Sequence, residues 1–113
     1  MPIANCYINQ ITVSNQQLET LTKEWADTIE VDLKDICLSF VEVSAQTGQN
    51  YKVMVNLFLP TLWDKSSIEK IQLSLDKLLK KHLKLGTEDV FIITKTVQSG
   101  NVTENGQIVK WGE

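Results

Sequence analysis

The chain has 113 residues, of which 42% are hydrophobic and 22% charged, with a net charge of −3. This suits one folded domain over residues 1–113 that closes its core without disulfides or metal, and it excludes a disordered chain. The negative balance argues against nucleic acid as partner, and no apolar run approaches the roughly 18 residues that a membrane helix needs.

The first residues hold no basic stretch followed by an apolar one, so no secretory leader is expected. Cys6 and Cys37 sit inside apolar segments without metal-like spacing and read as free, buried thiols of a cytoplasmic protein. Charge is uneven: residues 1–50 hold seven acids and two lysines, whereas 51–113 hold seven acids and nine lysines. Arginine is absent. Arginine is the usual residue for a two-point grip on a carboxylate. An anionic ligand here must therefore be held by lysine, backbone N–H groups or a terminal amine.

In chain order, Ile3 to Ile8 reads as a strand. Ser14 and Gln17 have capping-box spacing, and Leu18, Leu21, Trp25 and Ile29 then share one helical face, predicting a helix over about Asn15 to Glu30. Ile36 to Val43 is a β-branched, apolar strand, and Gln46 to Asn50 a turn. Tyr51 to Leu59 is the third strand, closed by Pro60. Ser66 and Glu69 have the spacing of a second capping box, followed by the stripe Ile68, Ile71, Leu75, Leu78, Leu79 and Leu83. Lys80, Lys81, His82 and Lys84 suit the end of that helix, with Gly86 as the residue that stops it. Asp89 to Val97 is the fourth strand, and Asn105-Gly106 marks a small hairpin between Val102 and Val109.

The order is strand–helix–strand twice, an internal pseudo-repeat over 1–48 and 51–113. No linker divides the halves, so the fold class is α+β, with two tandem βαβ units sharing one sheet. The strands are apolar on both sides. Val53, Val55, Leu57 and Leu59 oppose Met54 and Phe58, and Ile36, Leu38 and Phe40 oppose Cys37, Val41 and Val43. Strands apolar on both sides are buried on both sides. Right-handed crossovers put both helices on one face, so another subunit is expected to cover the other face.

These features together resemble the tautomerase superfamily: the Met1-Pro2-Ile3 start, two consecutive βαβ units, and a length near its fused members such as macrophage migration inhibitory factor. The Glu104-Asn105-Gly106-Gln107 hairpin especially resembles a small bacterial branch of that superfamily. The resemblance implies a homotrimer whose sheets enclose a central core. It also implies a pocket beside each N-terminal proline, partly built by a neighbouring subunit, and keto–enol proton transfer on a small carbonyl or enol acid, without cofactor or metal. Several positions depart from the family. Thr12 and Cys37 stand near the arginine positions of oxalocrotonate-type members. Val31 stands where macrophage migration inhibitory factor has a lysine, with Lys34 three residues later, and Phe91 and Ile93 align with its tyrosine and asparagine. Only the proline carries over.

With Met1 removed, Pro2 presents a secondary amine. An α-amino group titrates near about 7.7–8.0, so a base at neutral pH needs an apolar site or a nearby cation to lower that value. Ile3, Phe91 and Trp111 are candidate apolar walls, and Lys34 and Lys95 candidate cations for the substrate's anionic group. Tyr51, after the Gly48 turn, is a candidate hydroxyl contact. Trp25 and Trp63 read as structural, and His82 as a solvated capping residue with no carboxylate beside it. Two other classes share this order of elements. One is a tautomerase-fold protein without catalysis; the other is a ferredoxin-like module that binds a small molecule or assembles with a partner.

Overall fold

Four of the strands join into one mixed sheet, and the physical reason lies in their alternation. A computed structural model describes residues 2–112. The elements are β1 (Ile3–Ile8), α1 (Asn15–Thr28), β2 (Cys37–Glu42), β3 (Val53–Pro60), α2 (Lys65–Leu83), β4 (Val90–Val97), β5 (Val102–Glu104) and β6 (Gln107–Val109). A 3-10 turn at Leu33–Asp35 leads into β2. The sheet order is β2-β1-β3-β4, with β5 and β6 forming a separate two-stranded sheet. β1 runs parallel to β2 and β3 parallel to β4, while β1 and β3 are antiparallel. Each βαβ unit therefore joins two directly adjacent parallel strands. The ferredoxin-like alternative splits that pair with another strand, so this chain does not have that arrangement.

Alternate residues of the strands enter the core. Ala4, Cys6 and Ile8 of β1 and Val53, Val55, Leu57 and Leu59 of β3 are buried together with Leu21 and Trp25 of α1 and Ile71, Leu75, Leu78 and Leu79 of α2. Both helices thus lie on the same face. Trp25 is wholly buried, and its indole N–H donates to the Ile71 carbonyl at 3.4 Å, fastening α1 to α2. The opposite face is open. Val41 and Ile93 on that face are each 46% exposed, and Phe91 is 37% exposed.

Local signals acted with small differences. The Ser14 box forms: the Gln17 amide donates to Ser14 Oγ at 3.1 Å, and the Ser14 amide donates to Gln17 Oε1 at 2.9 Å. α1 stops at Thr28 rather than Glu30, because Glu30 takes a left-handed backbone (φ 59°). β3 starts at Val53 rather than Tyr51, since the Tyr51 amide is engaged by Gln46 Oε1 at 2.9 Å. The second capping box does not form. Asp64 is the N-cap and accepts from the Ser67 amide at 2.8 Å, a charged acceptor where the helix dipole favours one. Gly86 does not stop α2 either. Lys84 takes the left-handed position (φ 56°), and the Gly86 amide instead donates to Asp89 Oδ2 at 2.7 Å.

Two side chains depart from expectation. Cys37 is exposed rather than buried, because its register partner is Ile3 on the open face. Cys6 is buried, and desolvation pushes its thiol up to about 12. His82 is not a solvated cap. Its side chain is 15% exposed and its Nε2 lies 2.5 Å from Glu24 Oε2 on α1, with Lys81 Nζ 2.7 Å from the other oxygen. The helices are antiparallel, so a carboxylate 58 residues away reaches a histidine that has none near it in sequence.

Candidate functional site

A cavity of about 440 Å³ lies at the end of the sheet where β1 begins. Pro2 lines it and is less than 2% exposed. The Pro2 carbonyl accepts a hydrogen bond from the Cys37 amide at 3.0 Å, which extends the β1–β2 ladder by one step and fixes the head of β1. Ile3, Ile36 and Pro60 make the apolar floor. Pro60 sits at the last register position of β3, where its missing N–H leaves no ladder bond unmade beside the cavity.

One wall comes from the segment before β2, with Lys34 and Asp35, and from the exposed Cys37 that begins β2. The other comes from the β5–β6 hairpin and the segment after it, with Val102, Glu104, Val109, Lys110 and Trp111. The hairpin closes through Asn105 and Gly106, both left-handed (φ 52° and 75°), the turn that Asn-Gly favours between paired strands. Three hydrogen bonds hold this wall in place. The Gly100 amide donates to Val109 O at 3.0 Å, the Trp111 amide to Ser99 Oγ at 2.8 Å, and the Trp111 indole N–H to Thr61 Oγ1 at 3.2 Å. The cavity carries two lysines, Lys34 and Lys110, and two acids, Asp35 and Glu104, over a mainly apolar floor.

Of the residues expected at the site, Pro2, Ile3, Lys34 and Trp111 meet in this cavity. Lys95 does not line it. It pairs in register with Phe58, whose other partner is Ile3, so it lies two strands across the open face. Phe91 and Tyr51 do not line it within one copy. Their rings pack together at 5.0 Å, and Phe91 pairs with Met54 and through it with Tyr7, toward the far end of the sheet. Reading the sequence missed Asp35, Pro60, Leu62, Glu104 and Lys110. The hairpin itself was visible in Asn105-Gly106, but its return onto the β1 end depends on contacts from Trp111 to Ser99 and Thr61, which no local pattern encodes. Among the described residues, no three His, Cys, Asp or Glu side chains gather as a metal site, and no helix is long and apolar enough to cross a membrane.

No protein-family model and no curated protein sequence matches this chain. Solved structures do. The R7 fused 4-OT wild-type asymmetric trimer superposes with a TM-score of 0.77 at 13% identity, over 94% of both chains. The N1 member of the cis-3-chloroacrylic acid dehalogenase family matches at 0.75 and 12% identity, over 95% of this chain and 82% of its own. A macrophage migration inhibitory factor homologue from Prochlorococcus marinus matches at 0.73 and 15% identity, over 95% and 98%. At such identities the likeness is one of fold. The chain has the tautomerase-superfamily fold, two βαβ units fused into one sheet with both helices on a single face.

Proposed function

We propose that this protein, once Met1 is removed, uses the Pro2 amine as a base for keto–enol proton transfer on a small carbonyl acid. The observation that supports this reading most is the position of Pro2. It heads β1 at the wall of a cavity of about 440 Å³ that also holds Lys34 and Trp111. An apolar floor disfavours the ammonium form of a freed Pro2; Lys34 and Lys110 disfavour it further, whereas Asp35 and Glu104 on the same cavity favour it. For Pro2 to work as a base at neutral pH, the floor and the lysines must outweigh the two acids. The amine takes the proton α to the carbonyl, and a cavity lysine stabilises the enolate oxygen. Without arginine in the sequence, a substrate with a single carboxylate suits the site better than a dicarboxylate.

The same proposal includes a homotrimer. The open sheet face, with Val41, Phe91 and Ile93 exposed, needs a cover. The fused 4-OT chain that this fold resembles is a trimer. Phe91 and Tyr51, which do not line the Pro2 cavity of their own copy, would serve a site only in a neighbouring copy. The free, exposed Cys37 thiol suits a reducing compartment such as the cytoplasm.

While Met1 is attached, the Pro2 nitrogen is an amide without basicity, and the cavity can only bind. Intact mass decides whether Met1 is lost. Phenylpyruvate or a 2-hydroxydienoate is then assayed with the native chain and Pro2→Ala. Loss of turnover in the variant is the expected result, and equal rates end the role of Pro2.

A further inference from the structure

One charge stands alone on the open face of the sheet. Register places Lys95 beside Phe58 on that face, diagonal to Asn56 and two residues from Ile93. Every other strand residue that shares the face is uncharged, from Cys37 and Ile3 in the same row to Tyr7 and Phe91 at the far end. Lys95 forms no ion pair among the described residues. It lines a separate depression of about 190 Å³ with Asn56, Phe58 and Ile93. At about 30 Å³ per water, that space holds several waters or one small anion.

In a single copy the ammonium stays hydrated at the end of its stem. In the homotrimer proposed above the face is withdrawn from water, and each copy brings one such lysine with no strand acid on that face to pair with it. A charge taken from water without a counter-charge is strongly unfavourable. Asn56, whose amide can donate two N–H bonds, lines the same depression, so a cation and a hydrogen-bond donor share one small space without a carboxylate, which suits an anion.

We propose that Lys95 and Asn56 form a binding site for one small oxyanion, a carboxylate or sulfate group, completed when a second copy covers the open face. This rests on the homotrimer reading. Its test is a thermal melt in millimolar sulfate or acetate against chloride at constant ionic strength, with sedimentation of the same samples. The native trimer should melt several degrees higher in the oxyanions. Lys95→Met, which keeps the volume and removes the charge, and Lys95→Gln should lose that gain and still sediment as trimers. If the anion is the carboxylate of the substrate, sulfate also raises the KM for phenylpyruvate in the native protein and not in Lys95→Met. If it is a free structural anion, KM is unmoved while the melting gain remains. A trimer whose gain is equal in native protein and both variants overturns the site. A chain that sediments as a monomer overturns the assembly and this site with it.

Discussion

The Cys37 amide donates to the Pro2 carbonyl at 3.0 Å, so a backbone group of β2 holds the residue that heads β1. The contact uses the carbonyl of Pro2 and not its ring. Pro2→Ala keeps that acceptor, and its melting midpoint should stay within a few degrees of the native value. Turnover should fall by about 10²-fold or more, the usual reach of a general base. A variant that unfolds would show that Pro2 is needed for packing, and calorimetry beside the rate assay separates the two.

Lys34 shares the cavity with Pro2 and lies in an exposed 3-10 turn. Lys34→Ala should leave stability unchanged and raise the KM for a monocarboxylate about tenfold, the loss of one charge-assisted contact. The acidic limb of the pH–rate profile should shift upward as well, because a neighbouring cation no longer holds the Pro2 amine down and the base stays protonated to higher pH. Unchanged KM and pH–rate profile would remove Lys34 from the site.

The Glu24 carboxylate is held below its ordinary 4.5 by hydrogen bonds from Lys81 and then His82 across the helix pair. A lowered carboxylate contributes stability that is complete above its unfolded pKa and is lost as pH falls through the folded one. Urea midpoints should therefore drop below about pH 4.5. Glu24→Gln should flatten that acid limb. Parallel midpoint curves for the two proteins between pH 6 and pH 3 would contradict this account.

Trp25 is wholly buried and donates to Ile71 O. Trp25→Ala should cost about 3–5 kcal/mol through its cavity and the lost helix-to-helix tie. Trp25→Phe removes the donor and less volume, and should cost about 1–2 kcal/mol. Chemical denaturation monitored by far-UV circular dichroism measures both.

Ile93 is 46% exposed in one copy, on the face proposed to meet other copies. Ile93→Glu should dissociate the assembly without unfolding the chain, since no core residue changes. Sedimentation should shift from trimer to monomer while the circular dichroism spectrum is retained. A variant that remains trimeric would place the subunit contact elsewhere.

Much of this fold is legible because its causes are local. β1 spans Ile3–Ile8 as its apolar run predicts, the Ser14–Gln17 box starts α1, and Asn105-Gly106 turns the hairpin. Alternation in β3 was enough to divide its residues between two faces, because a strand has a period of two, but which face meets the helices came only from the packing. Where several local partners competed, sequence misled. Asp64 took the cap from Ser66, and Lys84 ended α2 two residues before Gly86. Of the cavity's lining, Pro2, Ile3, Lys34 and Trp111 were named from the sequence, residues at the margins of elements whose order was already known. Pro60 joins them because β3 pairs antiparallel with β1, Glu104 and Lys110 because the hairpin folds back onto the β1 end, and Glu24 finds His82 only because α1 and α2 lie antiparallel on one face. Such long-range meetings arise from the packing of whole elements, which residue spacing along the chain does not encode.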